Sequence, residues 1–564
     1  MGSKREPNIS KVSQMKKQLE EIITKAFIKA HENGALSSPE TSKPIIEVPR
    51  QESLGDFSCN IAMVSASKQK MKPYKIAGIL RDHMDDPDHI IDKIDIAGPG
   101  FINFYLTPDA WIDQLKNIHS QSSRYGSCNL GNNERVLVEF VSSNPTGPLH
   151  VGHGRNAAVG DAIANILSFC GYDVAKEYYI NDSGRQINTL GRSVYLRYCE
   201  LMGKAVQYPE DCYQGDYIRD IAIAEKNKNN GYLLDIPADD AVSNCAKVAA
   251  KKILEGIRSD LENFRVTFHK WYSEQSLYDS NKVAQTFQWA RDNDLAYDKD
   301  GATWFRTEKW GDEKDRVIRK NDGQTTYFAS DIAYHKDKFD RGFTWLIDVW
   351  GADHHGYIER LSAAVESLGK KREQFSVVLV QLVNLLRDGI PVAMSTRAGE
   401  FVTLKDVVDE VGADASRFIF LMRSHDSPHE FDLAMAKKQT NENPVYYVQY
   451  VHARISSIIK KAQKENIDSC DTLSRLDSTD DLRLIKSLSE FPETVSYSGQ
   501  RLEPHRIAYY LTHLASLFHN YYNNNRVLTD DKALTDARLF LIKAVQIVIR
   551  NGLNLLGVSA PDSM

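Results

Sequence analysis

Two histidines stand three residues apart in a glycine-containing turn, at His150 and His153. Gly152 between them has no side chain, so a ligand can approach the backbone closely there. A helical pattern begins at this turn, and the N–H groups of a helix start, together with imidazoles, favour a bound phosphate. The alternative is a pair of surface histidines without a ligand, because short motifs also match by chance. Their position between a predicted strand and a predicted helix favours the phosphate site.

The elements that must position these histidines form a predicted strand–loop–helix–strand unit. Residues 135–141 make an apolar run of strand length, and residues 142–148 make a turn-rich loop. A helix is predicted next, ending near Gly171, from the spacing of Val159, Ile163, Ile166, Leu167 and Cys170. A second strand over 174–180 completes a βαβ unit, the start of a parallel α/β sheet. Ligands bind such sheets at the carboxyl ends of the strands, where this loop lies.

Two acidic residues accompany predicted strands. Glu139 interrupts the apolar run, where an unpaired carboxylate would be costly, so it is either a ligand contact or a paired structural group. Asp353 follows the apolar strand 345–349 and suits ribose hydroxyls, while Gly351 lets an adenosine approach the backbone. The next residue, His354, has a second histidine beside it, but no further ligand cluster that would indicate a metal accompanies them. Nucleotide contact is therefore the favoured interpretation of one histidine of this pair.

Composition excludes several classes of protein. The chain has 564 residues, with 70 Lys+Arg against 76 Asp+Glu and a formal net charge of −6, so its surface as a whole does not attract polyanions. The 7 cysteines are scattered and form no C-x-x-C pair, which favours reduced thiols in the cytoplasm. We find no apolar run of about 18 residues and no signal sequence, so we expect no membrane association.

The predicted fold class is α/β, with three parts. An α/β N-terminal domain covers 1–118, with a helix over 14–31 and strands over 45–48 and 101–106. A Rossmann-like parallel-sheet catalytic domain covers 119–430, with an insertion or lateral extension around 190–300 and strand-like runs at 325–328, 345–350 and 377–382. An all-α C-terminal helical bundle covers 431–564, because apolar residues there recur at helical spacing.

Beyond these physical arguments, the turn around His150 and His153 resembles the HIGH signature of class I aminoacyl-tRNA synthetases. The surrounding sequence is similar to arginyl-tRNA synthetases of bacterial type. The matching segments run in family order at 55–62, 98–103, 139–155, 179–185, 350–355, 394–399, 443–450 and 557–561. Each segment alone is modest evidence, but together they are highly specific from about residue 55 to the C-terminus.

The resemblance implies that ATP and arginine form arginyl-adenylate, and that tRNA then receives the arginyl group on its terminal adenosine 2′-hydroxyl. His150 and His153 would be catalytic, steadying the phosphates of ATP. The second class signature, KMSKS, aligns with 393–397, where both lysines are lost, to Ala393 and Thr396. Arg397 is the candidate to neutralise the pyrophosphate, with Arg155 as a second candidate, and the alternative is that Arg397 caps a surface loop. Other implied ATP contacts are Gly152, Gly351, Asp353, His354, Met394 and Ser395.

The resemblance also implies the contacts of the other two substrates. Arginine would be bound by carboxylates, amides and a tyrosine, at Glu139, Asn144, Tyr327, Asp331, Asp182 and Gln186. Asp331 follows Tyr327 by four residues, one turn apart if the segment is helical. The tRNA would contact the bundle through Tyr446, Tyr450 and Arg454, whose aromatic and polar groups suit single-stranded bases. Asn60 is the candidate tRNA contact of the N-terminal domain.

The expected partners are therefore tRNA(Arg), L-arginine and ATP, with Mg²⁺ accompanying ATP as part of the substrate and no tightly bound protein metal. The family further implies a monomer whose activation step requires tRNA. Two alternatives remain at this point. One is a synthetase for a different amino acid, and the other is a catalytically inactive tRNA-binding paralogue, favoured only by the missing lysines.

Overall fold

A computed structural model describes residues 11–39, 43–49, 51–229, 231–392, 402–465, 467 and 473–564. The chain begins with helices packed on one antiparallel sheet of order β1-β2-β4-β3. The elements are α1 (Lys11–Glu32), β1 (Ile46–Glu47), β2 (Phe57–Cys59), α2 (Ile61–Gln69), α3 (Pro73–His83), β3 (Ile91–Ala97), β4 (Phe101–Leu106) and α4 (Pro108–Gln121). Strand β4 has the predicted bounds, and α1 extends the predicted helix at both ends.

The predicted βαβ unit opens the second part of the chain. It consists of β5 (Arg135–Phe140), α5 (Val151–Phe169) and β6 (Asp173–Ile180), with β5 and β6 parallel. Helix α5 stops where predicted, because Gly171 takes a left-handed φ of 86° that other residues rarely adopt. Small and apolar residues bury α5 on nearly every face, between the sheet and helices from the end of the chain.

The rest of this part completes the sheet and adds two smaller ones. In chain order its elements are α6 (Arg185–Leu201), α7 (Asp216–Asn229), α8 (Ala238–Asn263), β7 (Lys270–Ser273), α9 (Gln275–Asp279), α10 (Lys282–Asp292), β8 (Ala296–Lys299), β9 (Ala302–Phe305), β10 (Arg316–Arg319), α11 (Tyr327–Asp340), β11 (Trp345–Gly351), α12 (Ile358–Ser367), β12 (Phe375–Val380), β13 (Val383–Arg387), β14 (Ile390–Pro391), α13 (Leu404–Val411), α14 (Ala413–Leu421), β15 (His429–Asp432) and α15 (Leu433–Ala436).

The parallel sheet has the order β12-β11-β5-β6-β7. The chain builds outward from β5 through β6 to β7, and later returns to the other side of β5 with β11 and β12. Strands β5 and β11 therefore flank the point where the strand order reverses, and the connections that leave their carboxyl ends diverge to leave a crevice. The loop 142–149 after β5 and the turn 351–354 after β11 both lie at this crevice.

Two segments differ from the sequence-based expectation. The predicted interruption around 190–300 consists of α6–α8 only up to Asn263, because β7 within it pairs with β6 as an edge strand of the core sheet. The predicted strand at 325–328 is wrong, because helix α11 begins at Tyr327 after an extended Thr326. A short run with Thr, Tyr and Phe looks the same at a strand and at a helix start.

The last part is a bundle of α16 (Pro444–Lys464), α17 (Thr479–Arg501), α18 (His505–Asn524) and α19 (Lys532–Leu555). The start of α16 follows from local chemistry, since Pro444 occupies the first turn and the Asn443 side chain accepts the Val445 N–H. A capping box of Ser478 and Asp481 starts α17. In the described part of the chain, no helix is both long and apolar enough to cross a bilayer.

Candidate functional site

The two histidines of the signature turn hold one another at the start of α5. His150 is the N-cap, and its Nδ1 accepts the N–H of Gly152 at 3.1 Å. The N–H of His150 in turn donates to Nδ1 of His153 at 3.2 Å, and the two rings stack 3.7 Å apart. Because both Nδ1 atoms accept, each neutral ring carries its proton on Nε2. Burial lowers the pKa of both rings, that of His153 to about 3, so both are neutral donors.

The chain between β5 and this turn starts from a strained backbone. Val141 and Ser142 have φ angles of 66° and 40°, which a β-branched residue almost never adopts. Asn156 of α5 holds the bend, since its Oδ1 accepts the Val141 N–H at 2.7 Å and its Nδ2 donates to the Val349 carbonyl at 2.9 Å. Strain of this kind is typical of functional sites, and here it aims the loop into the crevice between β5 and β11.

Two carboxyl groups converge beyond the ends of β6 and β7. Asp331 of α11 accepts a hydrogen bond from Tyr357, and burial raises its pKa to about 6. Glu274 directly follows β7, is buried, accepts from Ser183 at 2.8 Å, and contributes to the raised pKa of Asp331. Burial also raises the pKa of Glu274. Tyr327 starts the same helix as Asp331 and is 58% exposed, so its ring is open to a ligand.

Sequence reasoning missed Glu274, although it brings a buried carboxylate to the pocket. The residue lies in a polar stretch, and the only signal was its position at the end of a strand that the sequence did not reveal. Leu382, the last residue of the predicted strand 377–382, is 74% exposed and lies after the end of β12.

Glu139 belongs to a buried charge cluster. Its carboxylate accepts from Lys338 at 2.6 Å and from Ser142 at 2.9 Å, and Lys338 also donates to Asp348 at 2.9 Å. His335 lies 3.0 Å from the second oxygen of Asp348. Burial opposes the charge of Asp348, but Lys338 and His335 hold the pKa of this carboxyl down at about 2. Of the two interpretations open from sequence, the structure favours the paired group.

The remaining predicted arginine contacts fall into two groups. Asn144 and Gln186 are brought together, with the Asn144 amide donating to the Gln186 carbonyl at 2.6 Å. Asp182 is used differently, because its two oxygens accept from Ser273 at 2.6 Å and from the Gln275 N–H at 3.0 Å. Asp182 therefore ties the end of β6 to the end of β7, beside the pocket that Asp331 and its neighbours form.

The turn after β11 presents an exposed carboxylate. A Cβ on Gly351 would lie 2.5 Å from Oδ1 of Asp353, so only glycine lets this carboxylate fold back over the strand end. The side chain of Asp353 is 81% exposed and lies 3.5 Å from Nε2 of His354. The three predicted ATP contacts Gly351, Asp353 and His354 are thus adjacent at the crevice.

The structure describes only one of the two candidate cations for the pyrophosphate. Arg397 lies outside the described residues, as do Met394 and Ser395. Arg155 is fully buried, and its guanidinium donates to three backbone carbonyls at 2.8–3.0 Å, those of Gln381, Ser424 and Ser427. Arg155 is therefore a structural group. Among the described residues, we find no group of three or more His, Cys, Asp or Glu that could hold a metal.

Comparison with known proteins identifies the family. Family models match at three places: "Arginyl tRNA synthetase N terminal domain" over 13–106, "tRNA synthetases class I (R), catalytic domain" over 114–431, and "DALR anticodon binding domain" over 448–564. The arginine–tRNA ligase of Desulfosudis oleivorans is 55% identical over 556 residues, covering 98% of this chain and 100% of the relative. That of Citrifermentans bemidjiense is 50% identical, with the same coverage of both chains.

The chain belongs to the arginyl-tRNA synthetase family.

The fold agrees with this assignment, since the Thermus thermophilus arginyl-tRNA synthetase superposes with a TM-score of 0.74 at 22% identity, over 98% of this chain and 100% of that one. The predicted family and fold class are confirmed. Nothing supports the alternative of an inactive paralogue, because the relatives are named as ligases. The exact predicted boundaries at 118 and 430 stay predictions.

An aromatic pocket lies on the C-terminal bundle, at the predicted tRNA contacts. Tyr446 and Tyr450 stack along α16 with centroids 6.1 Å apart, and the Arg454 guanidinium lies 5.8 Å from Tyr450 and 4.8 Å from Tyr522. They line a cavity of about 610 Å³ together with Tyr447, His519, Asn520 and Asn523. The structure thus gathers the three predicted bundle contacts, while Asn60 stands apart from them as the N-cap of α2.

The charge cluster around Lys338 generates a stability prediction. Lys338→Met leaves Glu139 and Asp348 buried without their shared cation, so we expect the free energy of unfolding to fall by about 3–5 kcal/mol. Lys336→Met is the matched control on the same helix, since Lys336 is paired with Asp340 at the surface. The control should cost at most about 1 kcal/mol. Urea denaturation of both variants makes the comparison, and equal losses would contradict a buried cluster.

Proposed function

We propose that this chain activates L-arginine with ATP, forming arginyl-adenylate and pyrophosphate, and then transfers the arginyl group to the terminal adenosine 2′-hydroxyl of tRNA(Arg). One observation carries the proposal. Two neutral histidine donors and two desolvated carboxyl groups meet at the carboxyl ends of one parallel sheet. The donors suit a polyphosphate, and the carboxyl groups suit a guanidinium.

The ATP side of the site lies between the start of α5 and the end of β11. His150 and His153 would donate from Nε2 to phosphate oxygens, with Gly152 giving room for close approach. Asp353 would accept from ribose hydroxyls, with Gly351 and His354 beside the nucleoside. Mg²⁺ would arrive with ATP as part of the substrate. Met394, Ser395 and Arg397 stay predicted contacts of the triphosphate.

The arginine side lies between the ends of β6 and β7 and helix α11. Asp331 and Glu274 would accept from the guanidinium, whose planar donors match two carboxylates better than an ammonium does. Tyr327 would cover the substrate from the solvent side. Asn144, Gln186 and Asp182 line the approach, and we assign Asn144 and Gln186 to the polar end of arginine.

Glu139 acts in this proposal through the Ser142 side chain rather than by direct contact with a substrate. It accepts from Ser142, whose hydroxyl oxygen also accepts the Tyr179 N–H at 3.2 Å. Glu139 therefore positions the strained start of the signature loop. Its charge is offset by Lys338, whereas Asp331 accepts a hydrogen bond from Tyr357 and Glu274 accepts one from Ser183.

Activation then requires mainly placement and charge stabilisation. A carboxylate oxygen of arginine attacks the α-phosphorus, a new P–O bond forms, and the bond to the β-phosphate oxygen breaks with pyrophosphate leaving. No covalent enzyme intermediate is needed, so orientation and preorganised donors supply the rate. For the second step, the bundle pocket of Tyr446, Tyr450 and Arg454 would stack anticodon bases, and Asn60 would contact a distant part of the tRNA.

A tRNA requirement for activation, a monomeric state and a cytoplasmic location complete the proposal. The family resemblance supports the first two. Free thiols support the third, since the cysteines among the described residues form no disulfide.

ATP–pyrophosphate exchange tests the proposed reaction. We expect exchange with arginine, and only when tRNA(Arg) is present, because the family resemblance implies tRNA-dependent activation. The assay compares all twenty amino acids with and without tRNA. Exchange with another amino acid, or none with arginine across a broad set of tRNAs, would contradict the proposal.

A substitution at His150 separates capping from catalysis. His150→Asn keeps an N-cap side chain that accepts from Gly152 but loses the Nε2 donor, so we expect kcat for exchange to fall about 10²–10³-fold with little change in Tm. His150→Ala loses the cap as well and should cost a further 0.5–2 kcal/mol or so of stability. If His150→Asn keeps full activity, the histidine serves the helix and not the phosphate.

The raised pKa of Asp331 predicts an acid limit for arginine use. The carboxylate is lost as the pH falls through about 6, so kcat/KM for arginine should fall about tenfold for each pH unit below that value. Tyr357→Phe removes a donor that holds this pKa down, so the limit should move to higher pH. Tyr297→Phe is the matched control, because Tyr297 donates to Asp315 elsewhere at 2.9 Å. An unmoved limit in Tyr357→Phe would assign it to another group.

A further inference from the structure

A tyrosine from the helical extension holds the signature loop from outside the sheet. The hydroxyl of Tyr217, in the first turn of α7, donates to the Thr146 carbonyl at 2.7 Å. The chain just before α7 is itself anchored, since the Tyr213 N–H donates to Oγ of Ser193 at 3.0 Å. The loop backbone at Thr146 is therefore held by a segment that is distant from it in sequence.

The surfaces around Tyr217 are shaped for this contact. A Cβ on Gly147 would lie 3.2 Å from the Tyr217 hydroxyl oxygen and 3.4 Å from Cζ. A Cβ on Gly215 would lie 2.4 Å from Cε1 of the same ring. Glycine at both positions therefore lets the ring lie against the loop on one side and against its own chain on the other.

The hydrogen bond between loop and helix lies beside a gap in the packing. A cavity of about 240 Å³ lies between α7 and α8, bordered by Tyr217, Pro148 and Ile253. One side of the Tyr217 ring and of Pro148 therefore faces the cavity and is not covered by other side chains. Burial raises the pKa of the Tyr217 hydroxyl, so it stays protonated and remains a donor at physiological pH.

Thr146 lies two residues after Asn144 and four before His150, and its N–H donates to the Asn144 carbonyl at 2.7 Å. We propose that Tyr217 is a positioning residue that sets the signature loop for adenylate formation through Thr146. It touches neither substrate in this role. The proposal rests on the proposed function, since it acts through the assigned roles of Asn144 and His150.

Tyr217→Phe tests the proposal with its packing kept. We expect kcat for arginine-dependent ATP–pyrophosphate exchange to fall about three- to tenfold, the effect of one hydrogen bond on the transition state. The Kd for tRNA should not change. Tyr198→Phe is the matched control, because the Tyr198 hydroxyl accepts the Gly231 N–H at 2.9 Å within the same extension, away from the loop. The Tm should fall by a similar amount in both variants, but kcat should fall only in Tyr217→Phe.

A double-mutant cycle supplies the second measurement. Gly147→Ala places a methyl against the Tyr217 hydroxyl and should lower kcat, whereas in the Tyr217→Phe background it should add little, since its nearest contact is gone. Additive losses, or a Tyr217→Phe kcat equal to that of Tyr198→Phe, would overturn the positioning role. Absence of exchange in the unmodified protein would instead overturn the proposed function.

Discussion

One buried guanidinium joins the catalytic and helical parts of the molecule. Arg417 of α14 has no exposed surface and donates to Asp161 of the signature helix at 2.5 Å. It also donates to the Phe264 carbonyl after α8 at 3.1 Å and to the Leu556 carbonyl after α19 at 3.0 Å. A Cβ on the next residue, Gly557, would lie 2.2 Å from this guanidinium, so the chain end is shaped around it. Because a buried charge is costly without its partners, these elements keep one arrangement.

Local signals in the sequence predict the elements that carry the signature loop. The β-branched run of β5, the helical spacing up to Gly171 and the turn residues between them need only neighbours in sequence to form. The same holds for α16, which starts at Pro444 behind an Asn443 cap. The family match then adds residue roles that no periodicity contains. For the pair His150 and His153, the helix begins where the sequence pattern predicts it, and their role toward phosphate stays a prediction.

Long-range pairing is what the sequence could not predict. The partner of Glu139 is Lys338, 199 positions away, so spacing cannot distinguish a ligand carboxylate from a paired one. Glu274 follows an edge strand too short to show a period, and Leu382, which ends a predicted apolar strand, is exposed. The sequence predicts a strand at 325–328 where helix α11 begins, because aromatic and β-branched residues suit a strand as well as a helix start. In each case the deciding contact comes from another element.

In the proposed function, the arrangement of charge lets a protein of net charge −6 bind both a cation and a polyanion. Burial keeps the histidines neutral, so in their proposed role they would direct hydrogen bonds at phosphate without adding a cation that repels arginine. Burial also leaves Asp331 only weakly acidic, with a pKa of about 6. A guanidinium that reaches this carboxyl offsets the lost hydration, and a planar bidentate donor does so more completely than a lysine ammonium. The desolvation that raises the pKa of Asp331 therefore also favours a guanidinium over a lysine ammonium in the proposed site.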